Sequence, residues 1–146
     1  MDAPAPLTIA LIDDHPPILR AVIDELTATL GVRSPVSARH VDEVLGTPGP
    51  YDLVILDLQL DDGTDPADNV RRLVERGWPV LLYTQETNAR VVARCFRAGA
   101  SGIVGKNQEL DDLVEAIRLI VAGEPYLSGD WAAALASDVG DIPSLA

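Results

Sequence analysis

Two kinds of hydrophobic pattern alternate along the chain and predict its secondary structure. Runs of consecutive apolar residues are typical of strands that are covered on both faces. They lie at 7–12, 52–56, 80–83 and 102–104, with a weaker run at 34–38. Between these runs, apolar residues recur every three or four positions, which predicts helices at 16–30, 41–45, 66–76, 88–98 and 110–122.

The regular alternation of strands and helices predicts the fold class. Five strands that alternate with five helices favour a doubly wound α/β domain, in which a parallel sheet carries helices on both faces. The flavodoxin-like strand order 2-1-3-4-5 is compatible with this pattern, although the pattern alone does not fix the order. We expect this domain to occupy 1–123. The remaining 124–146 are predicted to form a tail, with a possible short helix at 131–137 capped by Asp130 and then a linker.

Charge and composition narrow the classes of partner. The 146 residues include 23 acidic and 11 basic side chains, which gives a formal net charge of −12. A domain with this negative charge repels phosphate backbones and anionic lipids. We therefore expect it to bind neither nucleic acid nor membranes. The single cysteine, Cys95, excludes an internal disulfide framework. The sequence shows neither a signal-peptide pattern nor an apolar run long enough to span a membrane, so we expect a cytoplasmic protein.

Residues with complementary chemistry follow four of the five predicted strands. Asp13 and Asp14 follow the first strand, Asp57 the third, Thr84 the fourth and Lys106 the fifth. In an open α/β sheet, ligands bind outside the carboxyl ends of the strands. Each residue alone is commonplace, because an aspartate at a strand end usually forms a turn or caps a helix. Their combination predicts one pocket with three carboxylates, a hydroxyl and an ammonium.

This set of groups suits a divalent cation and an anion together. Crowded carboxylates repel each other, by about 4 kcal/mol for a pair 4 Å apart at an effective dielectric of 20, unless a cation lies between them. Two or three carboxylates that leave room for water suit Mg²⁺ better than a full Ca²⁺ cage. Phosphoryl transfer needs such charge neutralisation, and a carboxylate can itself be the nucleophile.

The use of lysine adds an independent argument. The chain has ten arginines but a single lysine, Lys106. If arginine serves wherever the two cations are interchangeable, the one lysine marks a position that requires a compact ammonium instead of a planar guanidinium. The imbalance supports the predicted pocket, although chance can also produce it.

Four sequence segments resemble the receiver domain of two-component response regulators. They are Ile12-Asp13-Asp14-His15-Pro16, Val54-Ile55-Leu56-Asp57-Leu58, Leu82-Tyr83-Thr84 and Gly99-Ala100-Ser101-Gly102-Ile103-Val104-Gly105-Lys106. The Asp-Asp-His-Pro and Gly-Ala-Ser-Gly stretches resemble the NarL/FixJ group in particular. The resemblance covers residues 7–123.

The resemblance implies a role for each residue of the predicted pocket. Asp57 would be the phosphoacceptor, and Mg²⁺ would be held by Asp14, Asp57 and the backbone carbonyl of Gln59, with Asp13 acting through water. The phosphoryl oxygens would be contacted by the hydroxyl of Thr84 and by the ammonium of Lys106.

The sequence also departs from the family at several positions. The aromatic switch residue that usually lies three positions before the lysine is Ile103 here. Tyr83 is a neighbour of Thr84 but is expected to point to the opposite face of its strand. Gln85 is larger than the small residue usual after the threonine. Of the two histidines, His15 is expected at a helix start near the mouth of the pocket and His40 on the surface.

Three functions compete at this point. By resemblance, the chain accepts a phosphoryl group from a histidine kinase and switches conformation, with possible dimerisation, and it is not a turnover enzyme. It would then control transcription through a LuxR-type DNA-binding domain beyond Ala146. The alternative is a pseudo-receiver that binds partners without phosphorylation. A phosphohydrolase of the haloacid-dehalogenase type is disfavoured, because the stretch Asp61-Asp62-Gly63-Thr64 follows Leu60 where that family needs aspartate, and a turn is expected there.

Overall fold

A five-stranded parallel sheet forms the centre of the computed structural model, which describes residues 7–32, 35–86, 88–127, 131–133 and 135. The strands pair in the order β2-β1-β3-β4-β5, which confirms the flavodoxin-like expectation. Their bounds are β1 Ile9–Ile12, β2 Val36–Ala38, β3 Leu53–Leu56, β4 Val80–Thr84 and β5 Gly102–Gly105. All four pairings are parallel. The predicted start of β2 at Ser34 lies outside the described residues.

Four helices connect the strands and a fifth follows β5, all close to the predicted bounds. They are α1 Pro16–Leu30, α2 Val41–Leu45, α3 Pro66–Val74, α4 Ala89–Arg97 and α5 Leu110–Val121. Local side chains fix two of the starts, because the Asp65 carboxylate accepts the N–H of Asp68 at α3 and the Asn88 side chain accepts the N–H of Arg90 at α4. None of the helices in the described ranges has both the length and the apolar character needed to cross a bilayer.

The sheet separates two apolar cores. One core packs α1 and α5 against one face, with Leu26 and Ile117 among its fully buried side chains. The other packs α2, α3 and α4 against the opposite face, with Leu73 and Cys95 buried there. Because both faces of the sheet are covered, every strand except short β2 is apolar throughout its central residues. The strand ends are therefore where polar side chains are concentrated.

Residues beyond α5 pack onto the domain at the edge of β5. Tyr126 forms a parallel bridge with Gly102, donating its N–H to the Ser101 carbonyl and accepting the N–H of Ile103. Residues 131–133 and 135 are helical, and Leu135 is fully buried in the core beside α4. The predicted cap at Asp130, the end of that helix and the linker at 138–146 lie outside the described residues.

Candidate functional site

The ends of β1, β3, β4 and β5 converge at one edge of the sheet. Lys106, which follows β5, directs its Nζ to the Oδ2 atoms of Asp13 (2.6 Å) and Asp57 (2.9 Å). Asp13 and Asp57 directly follow the neighbouring strands β1 and β3, and the N–H of Asp57 donates to the carbonyl of Ile12 in β1. The parallel register therefore brings together groups that are more than forty residues apart in the sequence.

The environment of Lys106 keeps it charged. Its side chain is only 3% exposed. Burial would lower the pKa of the ammonium, but the hydrogen bonds and charges of Asp13 and Asp57 outweigh that effect and raise it above its usual value. The N–H of Lys106 donates to the backbone carbonyl of Thr84, so the β4–β5 pairing sets the position from which the side chain reaches the carboxylates.

Both carboxylate oxygens of Asp57 accept hydrogen bonds. Its side chain is 1% exposed, and its Oδ2 atom accepts from Lys106. The other oxygen, Oδ1, accepts the N–H of Gln59 at 3.0 Å, which fixes the rotation of the carboxylate. This bond orients the first residues of the loop after β3. The use of the Gln59 carbonyl as a metal ligand stays a prediction.

Asp14 presents a buried oxygen atom that no described residue hydrogen-bonds. Its Oδ2 accepts the N–H of Asp61 at 2.8 Å, which ties it to the loop after β3. Its Oδ1 is buried and accepts no hydrogen bond within the part of the chain that the structure describes. An unsatisfied buried carboxylate oxygen is costly, and a cation is the partner that compensates it best.

The carboxylates fit a divalent metal ion in both chemistry and charge. Oxygen atoms of Asp13, Asp14 and Asp57 lie within 4.8 Å of one another, together with Nδ1 of His15. With Lys106, the three carboxylates leave a formal charge of −2. Carboxylate oxygens are the ligands that hard divalent cations such as Mg²⁺ prefer. The predicted acidic residues therefore form a cluster that could bind such an ion.

Thr84 lies next to this cluster, at the end of β4. It is 1% exposed, and its hydroxyl oxygen accepts the N–H of Glu86 at 3.1 Å. Because the hydroxyl oxygen is the acceptor in this bond, which ties it to the start of the β4–α4 loop, its own proton can be donated elsewhere. Gln85, the residue after it, is exposed.

Ile103 and Tyr83 lie on opposite faces of the sheet. Ile103, at the position of the family's aromatic switch, is fully buried in the core with α4. Tyr83 is buried in the other core, with its ring centroid 5.9 Å from Nζ of Lys106. Burial raises the pKa of Tyr83, and the nearby Lys106 charge lowers it less.

His15 is the residue of the site that sequence reasoning underestimated. It lies at the helix start as predicted, directly before α1, but its Nδ1 reaches into the cluster. Nδ1 is 2.9 Å from Asp13 Oδ1, 3.1 Å from Asp14 Oδ1 and 3.6 Å from Asp57 Oδ2. The signal in the sequence was its position directly after the acidic pair, combined with Pro16, which fixes the helix start.

The remaining candidates lie away from the site. His40 is exposed and pairs through Nδ1 with Asp62 Oδ2 at 3.0 Å. The hydroxyl of Thr64 donates to Asp62 within a local turn, and this bond above all lowers the pKa of Asp62. The stretch that suggested a phosphohydrolase is thus a turn, as expected.

The cluster opens to the surface through a pocket of about 490 Å³. It is lined by Asp14, His15, Gln59, Leu60 and Asp61. These residues come from the loops after β1 and β3, so the pocket lies between the two loops that carry the acidic residues.

Comparison with known proteins gives consistent results. Residues 9–118 match the family model for the response regulator receiver domain. The chain is 31% identical over 134 residues to the Fimbriae Z protein of Salmonella typhimurium, covering 86% of this chain and 61% of that protein. It is 30% identical over 128 residues to the nitrate/nitrite response regulator protein NarL of Escherichia coli, covering 84% and 58%. The chain thus spans about three fifths of the length of these relatives.

The structure comparison agrees with the sequence comparison. A two-component response regulator of the LuxR family from Aurantimonas superposes with a TM-score of 0.81 at 26% identity. The superposition covers 94% of this chain and 100% of that one.

Proposed function

The chain belongs to the family of response regulator receiver domains, with relatives of the LuxR/NarL type, and from this premise we propose that it accepts a phosphoryl group on Asp57. The observation that carries the proposal is the pairing of Lys106 with Asp57 and Asp13 beside the unpartnered oxygen of Asp14. A buried nucleophilic carboxylate, a buried ammonium and a place for a dication are the parts that phosphoryl transfer to aspartate requires.

A carboxylate oxygen of Asp57 forms a bond to the phosphorus atom, and the bond between phosphorus and the donor's leaving group breaks. With acetyl phosphate as donor, acetate leaves; with a phosphorylated kinase, the histidine imidazole leaves. Asp14, Asp57 and the Gln59 carbonyl would hold Mg²⁺, with Asp13 acting through water, and the bound ion would supply neutralisation of the charge on the phosphoryl oxygens.

The chain's own residues then stabilise the product. Lys106, already 2.9 Å from Asp57, is close enough to pair with a phosphoryl oxygen after transfer. Thr84 can donate its hydroxyl to a second oxygen. Both residues would shift toward the phosphoryl group, and β5 with the fully buried Ile103 would move with Lys106.

The chain would act in the cytoplasm, where its phosphoryl donor would be a sensor histidine kinase. Phosphorylation would promote pairing of two copies of the chain. The phosphorylated chain is a signal and not a turnover enzyme. Transcription would be controlled by a LuxR-type DNA-binding domain beyond Ala146, while this domain itself does not bind nucleic acid, in keeping with its charge of −12.

Intact mass spectrometry after incubation with acetyl phosphate and Mg²⁺ tests the proposal. We expect one added phosphoryl group in the wild type and none in Asp57→Asn. Asp111→Asn is the matched control, because Asp111 is an exposed carboxylate in the first turn of α5, and it should be phosphorylated normally. A wild-type protein that remains unmodified with several donors would contradict the proposal and favour the pseudo-receiver.

A further inference from the structure

We propose that Thr64 is a positioning residue for the phosphoryl-transfer site: its hydroxyl fixes the loop between β3 and α3, residues 57–65, so that the backbone of Asp61 orients the carboxylate of Asp14. Thr64 acts through these residues and not by contact with the reacting atoms. The inference rests on the proposed function and deepens it, because it identifies a residue outside the acidic cluster that sets how tightly the cluster binds its cation.

Thr64 lies in the middle of a chain of hydrogen bonds. Its hydroxyl donates to Oδ1 of Asp62 at 2.6 Å and accepts from the side-chain amide of Asn69 at 2.9 Å. Asn69 belongs to α3 and is only 3% exposed. Because a buried amide needs hydrogen-bond partners, Asn69 holds the Thr64 oxygen from the side of the helix. The hydroxyl proton is thereby directed to Asp62.

Both carboxylate oxygens of Asp62 have partners. Oδ1 accepts the backbone N–H of Thr64 at 3.0 Å in addition to the hydroxyl. Oδ2 lies 3.0 Å from Nδ1 of His40, the residue directly before α2. The Asp62 side chain is 17% exposed, so these partners replace most of its water. Asp62 therefore anchors the loop to α3 through Thr64 and to the start of α2 through His40.

Asp61, the neighbour of Asp62, connects this anchor to the acidic cluster. Its backbone N–H donates to Oδ2 of Asp14 at 2.8 Å. That bond sets the rotation of the Asp14 carboxylate and leaves the buried Oδ1 as the oxygen available to a cation. The direction of the Asp61 N–H depends on the loop backbone, which the side chain of the next residue, Asp62, ties down. Preorganised ligands bind a metal ion more tightly than ligands that must first be ordered.

Two substitutions at Thr64 separate its hydroxyl from its shape. Thr64→Val keeps the branched side chain but removes both hydrogen bonds of the hydroxyl, so the loop gains conformations in which the Asp61 N–H does not face Asp14. Thr64→Ser keeps the hydroxyl and should behave as wild type. Asn69→Leu is a third variant, which removes the donor that holds the Thr64 oxygen and should act in the same direction as Thr64→Val.

Thr29 is the matched control for the loss of a hydroxyl. Its side chain also donates to a carboxylate at 2.6 Å, that of Glu25, and both threonines are exposed. Thr29 and Glu25 both lie in α1, so Thr29→Val removes the same kind of bond without changing the loop between β3 and α3.

Amide hydrogen exchange measured by NMR in EDTA tests the positioning without any metal. Exchange of the Asp61 N–H should be about tenfold faster in Thr64→Val than in wild type, the effect of one hydrogen bond to a charged group. It should be unchanged in Thr64→Ser and in Thr29→Val. A purely structural role would lower the free energy of unfolding in Thr64→Val without this local change at Asp61.

Calorimetric titration with Mg²⁺ tests the effect on the cluster. The affinity should fall about tenfold in Thr64→Val, the low end of the cost of removing a group that supports a metal ligand, and should be unchanged in Thr64→Ser and Thr29→Val. Phosphorylation by acetyl phosphate should be slower in Thr64→Val when Mg²⁺ is near the wild-type dissociation constant. At saturating Mg²⁺ it should return to the wild-type rate, because the substitution changes cation binding and not the nucleophile.

Unchanged Asp61 exchange in Thr64→Val, or unchanged Mg²⁺ affinity, would overturn the inference. A rate defect in Thr64→Val that persists at saturating Mg²⁺ would also overturn it, since the hydroxyl would then act on the transfer step itself. Faster exchange and weaker Mg²⁺ binding in Thr64→Val, with no phosphorylation of the wild type, would contradict only the proposed function. Normal phosphorylation of the wild type with unchanged exchange in Thr64→Val would contradict only the role of Thr64.

Discussion

Replacing Lys106 with methionine tests how the site balances its charge. The substitution keeps a long apolar stem but removes an ammonium that is 2.6 Å and 2.9 Å from two carboxylate oxygens. At an effective dielectric of 20, each contact amounts to about 6 kcal/mol of Coulomb energy. Desolvation offsets much of this, and removing one partner of a buried pair typically costs about 3–5 kcal/mol. For a chain of this size, the melting temperature should fall by about 10–15 °C.

Thermal and urea unfolding at pH 7 in EDTA would measure this loss. The pKa of Lys106 is raised in the folded state, so its contribution to the free energy of unfolding is fully present below the ordinary lysine pKa of about 10.4. That contribution is lost only as the pH rises through the raised pKa, which makes pH 7 suitable for the measurement. Mg²⁺ should bind Lys106→Met more tightly than wild type, because the formal charge of the cluster becomes more negative by one unit.

A second background separates charge from packing. In Asp13→Asn, removal of Lys106 leaves two carboxylates instead of three, so Lys106→Met should cost about 0.5–3 kcal/mol less there than in wild type. Equal losses in the two backgrounds, together with unchanged Mg²⁺ affinity, would show that Lys106 stabilises the fold through its stem and not through its charge.

Three further predictions follow from the structure. Asp14→Asn should leave stability without metal unchanged or raise it, and it should weaken Mg²⁺ binding. Thermal unfolding with and without Mg²⁺ measures both effects. Lower stability combined with normal Mg²⁺ binding would contradict the prediction. Burial raises the pKa of Cys95 to about 12, so Ellman's reagent at pH 8 should modify the native thiol at least about a hundredfold more slowly than in urea. Gly102→Ala should destabilise by about 1–3 kcal/mol and speed amide exchange at Tyr126, because a Cβ there would lie 2.6 Å from the Tyr126 carbonyl oxygen.

Much of the fold and of the site was predictable because parallel strands have a strict geometry. Apolar runs covered on both faces identify the strands, and the residue after each run must lie at one edge of the sheet. Asp13, Asp57, Thr84 and Lys106 could therefore be assigned to one pocket from sequence. The strand order was compatible with the pattern but not fixed by it, because order depends on which helices pack on which face.

The position of His15 could not be predicted in the same way. It does not belong to a strand, and its side chain direction depends on the backbone angles of the last residue before α1, which are φ −111° and ψ 89°. Hydrophobic periodicity carries no information about such a connecting residue. Its sequence position after Asp14 indicated proximity to the pocket, but only coordinates show Nδ1 beside three carboxylates.

The segment after α5 illustrates a different limit. β5 is an edge strand, and its free edge is covered by Tyr126, while Leu135 fills the core next to α4. Neither contact has a periodic signature, because one is a single bridge and the other a single buried side chain. An uncovered strand edge needs protection in general, yet sequence does not say which segment supplies it.

The scarcity of lysine has a physical counterpart in the structure. Three arginines pair with aspartates on the exposed surface, where a long planar group can adjust to its partner. They are Arg71, Arg72 and Arg94. Lys106 instead lies almost fully buried between oxygens of two different carboxylates on neighbouring strands. A guanidinium favours two parallel bonds to one carboxylate, and it needs more space than an ammonium. The two strand ends are held at a fixed separation by the β1–β3 ladder, so the compact cation is the one that fits between them.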